Sequence, residues 1–389
     1  MATVLLTNGQ QRKTLSAARS LGRRGLRVCV ADTTRVHPAG WSRYTARSLV
    51  CPDPKREPDA YVDWLERTAA EERIDALFPM DDDSMELALA RRERLEAVCA
   101  VPLPPLSSYR IAADKGQSVR HAMHAGADCP RTTLPASLEE AERLAPLLAY
   151  PVVVKPRRSS GSRGIRVAET PGELIARYRD VHAVYPLPLI QEYIAPGDRY
   201  DVCLLYGSDG RLLASFVQKE LRHYPIERGP STMQESVRRP DVLDAALAVM
   251  DGLPWRGVVE LEFMIDPADG RPKFMEINPR FWNSLEMAVQ AGVDFPWLLY
   301  GSAVGTDVPA VHEYAVGVRC RNLLPGDALH FLANRRRFDM SPPIWAGRRS
   351  GVIDDIWSAD DPLPTLGALA AFARYAAQPE MRRLLKQDR

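Results

Sequence analysis

The 389-residue sequence has no run of 18 apolar residues, so it offers no candidate transmembrane helix. Its opening segment, MATVLLTNGQQRKT, lacks a basic stretch followed by a long apolar core and a small-residue cleavage site. It reads as a first β-strand rather than a signal peptide. The six cysteines (Cys29, Cys51, Cys99, Cys129, Cys203 and Cys320) are scattered, with no CxxC pair and no histidine at ligand spacing. That argues against a disulfide framework and a zinc site, and predicts reduced thiols in a cytoplasmic protein. An excess of one charge is missing too, since 51 Lys and Arg face 50 Asp and Glu for a net charge of +1. Binding nucleic acid through its phosphates needs a basic field, so neither nucleic acid nor a membrane is an expected partner. Lysine itself is scarce: Lys13, Lys55, Lys115, Lys155, Lys219, Lys273 and Lys386 are the full set.

What is present begins with an apolar run at 2–7, a helically spaced TLSAARSLGRRG ending at Gly25, and LRVCVAD closing on Asp32. This is a strand, helix and strand in succession. A helix is expected over 59–73, then a strand at IDALFPM, the acidic turn Asp81-Asp82-Asp83 and a helix through SMELALARRERLE. The Pro-rich VPLPPL at 101–106 marks a boundary. Residues 1–105 are therefore expected to be a small doubly wound α/β domain. Its first turn has only Gly9 in place of GxGxxG, so NAD is not expected there, and Asp32 reads as a solvated strand-end carboxylate.

Beyond the boundary lie a helical segment at 112–127 and Ser137, a candidate helix cap. Strand patterns then dominate: YPVVVKP, GIRVAE, LIQEYI, YDVCLLYGSDGRLLASFVQKE and GVVELEFMIDPADGRPKFMEINP. Two of them contain hairpin turns, at Ser208-Asp209-Gly210 and Ala268-Asp269-Gly270. With helices at 172–183 and 240–251, this predicts an α+β body of mainly antiparallel strands. The last segment ends in a helix near 364–387.

Three constellations carry chemistry. On paired strands, Glu262 and Glu276 can share one face, and Asn278 adds an amide oxygen. Such an all-oxygen set suits Mg²⁺, which bridges substrate phosphates, and Arg280 can present a planar fork to a phosphoryl group. Second, VVVK places Lys155 at the end of an apolar strand feeding Ser159, Ser160, Gly161, Ser162 and Gly164. A small-residue loop lets backbone N–H groups approach phosphate oxygens, and lysine supplies a point charge. The order is not that of a Walker A loop. Third, Gln191-Glu192-Tyr193-Ile194 breaks at Pro196-Gly197 before Asp198. Exposed backbone groups at such a break can pair with an adenine edge, and Asp198 can accept from ribose hydroxyls.

In this order and spacing the three resemble the ATP-grasp superfamily over about residues 3–310, most nearly its stand-alone carboligase branch. The resemblance implies an α/β pre-grasp domain (1–105) and an α+β ATP-grasp body whose two lobes clasp ATP. The small lobe with its hinge would take 106–195, the large lobe with its metal site 196–315, and a C-terminal extension 316–389. It also implies that Lys115, which follows Asp114 ahead of the central body, joins Lys155 on the α- and β-phosphates. The loop from Ser159 to Gly164 would close over the β- and γ-phosphates. Gln191, Glu192, Tyr193 and Ile194 would lie at adenine and Asp198 at the ribose, where the family often has Glu. Glu262, Glu276 and Asn278 would hold two Mg²⁺ ions, with Mn²⁺ as an alternative, and Arg280 would steady the transferring phosphoryl group.

The activity so implied is that of a carboxylate–amine ligase. A carboxylate is activated as an acyl phosphate and coupled to an amine, releasing ADP and phosphate. Lys219 and Arg222 are candidate carboxylate recognisers, and His223 a candidate base for the amine. The partners implied are small-molecule carboxylates and amines such as amino acids, and a second copy of the chain in a homodimer. Three alternatives stand beside it: a kinase, a carboxylase using the same cradle, and a nucleotide-binding regulator without turnover.

Overall fold

Four short strands, Thr3–Leu6, Arg27–Asp32, Arg47–Val50 and Ala76–Phe78, form the first sheet, the third being an exposed edge. All pair in parallel, in the order third, second, first, fourth. Val4, Leu5, Leu6 and Val28 to Ala31 have no exposed surface, as expected where helices cover both faces of a parallel sheet. The helices Arg12–Arg23 and Pro58–Glu71 supply that cover. Asp81 caps the helix Asp82–Ala90 by accepting from the Ser84 backbone N–H at 2.9 Å, so part of the acidic turn is a helix start. The computed structural model describes residues 1–159, 161–226 and 229–377, with side chains to 373 in the last helix. Ser160 and Lys386 fall outside the described residues.

A seven-stranded sheet dominates the rest. Its order is Pro272–Asn278, Gly257–Ile265, Arg199–Tyr206, Leu212–His223, Ser231–Ser236, Arg319–Arg321 and Val352–Asp354. Every pairing is antiparallel except the last. Side chains alternate across a strand, and this sheet uses both of its faces. One face presents Tyr200, Val202, Leu204, Val259, Leu261 and Phe263 to an apolar core shared with the helix Pro240–Met250. Ala112, Val119 and Ala122 join that same core. The helices Leu106–Ala113 and Lys115–His124 thus pack on the large lobe rather than with the small one.

The small lobe is a four-stranded antiparallel sheet of Thr132–Thr133, Leu189–Glu192, Val152–Lys155 and Arg166–Ala168. It packs on the helix Pro171–Val184 through Leu174, Tyr178 and Val181. The C-terminal segment is no separate appendage, because Arg319–Arg321 and Val352–Asp354 extend the large sheet. Arg19, 1% exposed, reaches Asp361 at 2.9 Å and the carbonyl of Ile356 at 2.7 Å. This buried clamp ties the first helix to the loop before the last helix, Leu363–Ala377.

Candidate active site

The other face of the large sheet is acidic at one end. Glu262 lies opposite Glu276 on one neighbour and opposite Asp201 on the other, and Glu260 lies opposite Asn278. Register alone therefore stacks four carboxylates and an amide on one face. Two lysines stand against them, Lys155 from the small lobe and Lys115 from a helix packed on the large lobe. Lys115, the first residue of its helix, is aimed by Asp114, which accepts from the Gly116 and Gln117 N–H groups at 2.9 and 3.1 Å. Its Nζ meets Glu276 Oε2 at 2.8 Å and donates to the Ser159 carbonyl at 2.7 Å. Lys155 ends the strand Val152–Lys155, and its Nζ donates to Gln191 Oε1 at 2.6 Å.

The charges here are half-buried along the cleft. Burial pushes the Lys155 ammonium down to about 8, against the pull of Glu276. Burial and the neighbouring Glu276 and Asp201 push the Glu262 carboxyl well up. For Glu276 burial pushes the same way but is outweighed, and Lys115 and Lys155 hold it below the ordinary value. Two facing carboxylates, one of them raised by its neighbours' negative charge, make a donor set that a divalent cation would relieve. Asn278 Nδ2 donates to Glu262 Oε1 at 2.8 Å, while its Oδ1 accepts from Arg280 at 3.0 Å. The amide must turn over to offer its oxygen to the same cation.

Arg280 is gripped from two domains. Its Nε donates to Asp82 Oδ2 of the N-terminal domain at 3.0 Å. Burial opposes the charge on Arg280, yet Asp82 and Glu260 more than compensate and hold its proton above the usual arginine value. Just beyond it, the carbonyl of Phe281 accepts from Lys13 Nζ at 2.8 Å. Lys13 is 2% exposed.

A cleft of about 200 Å³ runs between the lobes, and Lys115, Lys155, Gly161, Tyr193, Glu262 and Glu276 are among its walls. Ser159, Ser162, Glu192 and Ile194 also line it. Gly164 sits below the loop at φ +77°, where a Cβ would press into Pro156 and Tyr185. Both the positive φ and the close approach require glycine.

A family model described as ATP-grasp domain matches residues 112–284. These residues form an ATP-grasp domain. The carbamoyl phosphate synthase large chain of Renibacterium salmoninarum is 28% identical over 237 residues, 58% of this chain and 21% of that protein. Biotin carboxylase 1 of Bacillus subtilis is 29% identical over 155 residues, 37% of this chain and 34% of its own. The chain thus spans between about a fifth and about a third of these curated relatives' length. Among solved structures, a biotin carboxylase complex from Campylobacter jejuni aligns with TM-score 0.68 at 17% identity, covering 82% of this chain and 74% of the other. The L-amino acid ligase of Bacillus licheniformis aligns with TM-score 0.61 at 16% identity, covering 79% and 75%. These likenesses establish the fold: an ATP-grasp body behind an α/β N-terminal domain.

Several expected residues sit elsewhere. Asp198 is not among the cleft walls; it pairs with Lys219 at 2.6 Å, and Lys219 lies over the Tyr200 ring on the apolar side of the sheet. Strand alternation puts Lys219 opposite to its neighbour Glu220, which does line the cleft. Arg222 is 4% exposed, bonded to Asp327 Oδ1 and Oδ2 at 3.1 and 2.8 Å and to the Pro342 carbonyl. It is occupied inside the protein rather than offered to a substrate. Gln191 is 2% exposed and spends its side chain on Lys155 and on Thr132 Oγ1 at 2.8 Å, so it orders the lysine instead of meeting a base. Asp32 is 6% exposed, not solvated.

Other cleft residues carried no local sign. Asp201, Glu220 and Arg199 line it, yet in the sequence they are charged residues near the ends of two long, largely apolar strands. The alternation Arg199, Asp201 and Gln218, Glu220 on neighbouring strands is the signal that would have found them. An irregular register after Glu220 returns His223 to its side, with His223 Nε2 2.7 Å from Glu220 Oε2.

Proposed function

We propose that this protein is an ATP-dependent carboxylate–amine ligase that activates a small-molecule carboxylate as its acyl phosphate and forms an amide or peptide bond. The observation that carries this reading is the juxtaposition of Lys115 and Lys155 with the Glu262/Glu276 pair inside an ATP-grasp domain. Cationic side chains at one wall and carboxylates at the other suit a nucleotide polyphosphate with its metal. Mg²⁺ held by Glu262, Glu276 and a turned Asn278 would offset charge on the phosphates.

Lys115 and Lys155 would hold the phosphates while Ser159, Gly161 and Ser162 cover them from the small lobe. Glu192, Tyr193 and Ile194 form the wall available to the base, and Asp201 is the acid better placed for this cleft than Asp198. Arg280, fixed by Asp82 and the Phe281 carbonyl, would meet the transferred group, since a guanidinium pre-aimed by two partners needs little reorganisation as charge develops. The amine then displaces phosphate at the acyl carbon. His223, bonded to Glu220, would take its proton.

The test is an ADP-release screen with Mg²⁺ over pairs of amino acids and amines, with a bicarbonate arm. Turnover that needs both partners and yields an amide by mass supports ligation. ADP release with bicarbonate alone, or with a stable phosphorylated product, replaces it with carboxylation or kinase chemistry.

A further inference from the structure

A second cavity, of about 600 Å³, shares no wall residue with the nucleotide cleft. Its volume falls within the roughly 300–1,000 Å³ usual for small-molecule sites. On one side stand Arg12, the first residue of the helix Arg12–Arg23, and Asp32, the last residue of its strand. On the other stand Leu324, Trp357, Leu369 and Phe372 of the C-terminal segment. These four are 45%, 54%, 46% and 52% exposed. Large apolar side chains gathered around one hollow are the kind of surface that an organic body covers.

The polar groups are few and specific. Asp32 is 6% exposed and accepts from the Gln10 and Thr34 backbone N–H groups at 3.0 and 3.3 Å. No lysine or arginine pairs with it among the described residues. A carboxylate has about four acceptor positions, so acceptor capacity remains. Burial pushes its carboxyl up, against the nearby His37 and those N–H donors, and a bound cation would favour the ionised form. The other acid in the wall, Asp354, already accepts from the backbone N–H groups of Leu323, Ile356 and Trp357. The Thr365 hydroxyl, also in the wall, is out of solvent and has no hydrogen-bond partner among the described residues. Arg12 gives one N–H to Asp355, out of the five its guanidinium carries.

We propose that this cavity is a second ligand site, which binds a free amino acid with an apolar side chain. The ammonium group lies on Asp32 within reach of the Thr365 hydroxyl, and the carboxylate lies on Arg12. The side chain lies against Trp357, Leu369 and Phe372. Asp32 and Arg12 face the two charged ends of a zwitterion, so each charged group of the ligand meets its opposite. Binding here needs no nucleotide and no turnover, and so stands apart from the ligase reading.

Calorimetric titration of the full chain without nucleotide tests it, using L-phenylalanine and L-leucine beside phenethylamine, 3-phenylpropanoate, L-glutamate and adenosine. The two apolar amino acids are expected to bind, and loss of either charged group should weaken binding at least about tenfold. Asp32→Asn should cost a similar factor in binding and lower the melting temperature, because an amide nitrogen cannot accept and the two backbone N–H groups are no longer both served. Leu369→Glu, on an exposed helix face, should abolish binding with an unchanged melting temperature. The proposal fails if neither amino acid binds up to about 10 mM, far weaker than a specific small-ligand site. It also fails if the two truncated analogues bind as tightly as L-phenylalanine, if adenosine is the preferred ligand, or if neither variant alters the titration.

Discussion

Arg222→Met separates a structural arginine from a substrate-binding one. The side chain is 4% exposed, and Asp327, fully buried, accepts two hydrogen bonds from it, at 3.1 and 2.8 Å. Methionine fills much of the volume but leaves the Asp327 carboxylate and the Pro342 carbonyl without this donor. Breaking a buried ion pair from one side costs roughly 3–5 kcal/mol. Arg321 Nη1, 3.7 Å from Asp327, stays in place and softens the loss, so the lower end, about 3 kcal/mol, is expected. That is on the order of a hundredfold in the unfolding equilibrium. Urea denaturation followed by tryptophan fluorescence should show the shift, and Asp327→Asn in the same chain should recover part of it, because the uncompensated charge is then gone. Nucleotide affinity should stay at the wild-type value. A midpoint that does not move, together with a raised KM for a carboxylate substrate, would refute the structural assignment and return Arg222 to the substrate site.

Other outcomes follow from the same geometry. Lys155→Ala should weaken ATP binding at least about tenfold, the scale of one charge-assisted contact, as read by equilibrium titration. Glu276→Gln should lower turnover by about a hundredfold or more with the fold intact; activity near wild type would remove it from the metal set. Lys13→Met takes a hydrogen bond from Phe281 next to Arg280, and should lower kcat about tenfold while leaving the nucleotide KM in place. Asp355 is raised to about 7 by burial, which outweighs Arg12 and adds to the repulsion of Asp354, while Asn322 donates to it. In the folded chain it therefore keeps a proton that the unfolded chain releases near the usual value of about 3.9. Its contribution makes stability fall as pH rises from about 4 to about 7. The difference between wild-type and Asp355→Asn unfolding curves across that window measures it, and parallel curves would count against the assignment.

Much of the nucleotide cleft was legible because its parts are local in sequence. Lys155 ends an apolar strand, the Ser/Gly loop follows it, and Glu262, Glu276 and Asn278 sit on one hairpin, where an irregular register between Glu262 and Phe263 brings Glu276 opposite Glu262. What did not show was anything set by contacts distant in sequence. Lys13 reaches Phe281, 268 residues away, and Arg280 depends on Asp82; neither partner can be read from spacing. Lys219 and Arg222 were misplaced for a different reason. In a strand with an irregular register after Glu220, parity decides which side chain faces the cleft, and composition does not carry parity. The helices at 106–124 illustrate a third limit, since a Pro-rich boundary marks where the chain turns, not which lobe the next helix packs on.

The C-terminal strands have a consequence for how this protein could be divided. Arg319–Arg321 covers the backbone of Met233, Gln234 and Glu235, and Val352–Asp354 in turn covers Arg319–Arg321. A fragment ending before residue 319 would expose that row of N–H and C=O groups, an open template for another chain. It would also strip Arg19 of Asp361 and leave a cation with nothing opposite it. Such a fragment should announce itself in light scattering, by sticking to its own copies, before any loss of catalysis could be measured. The nucleotide-binding module is therefore not a cassette that can be lifted out, because its solubility is lodged in the segment that follows it.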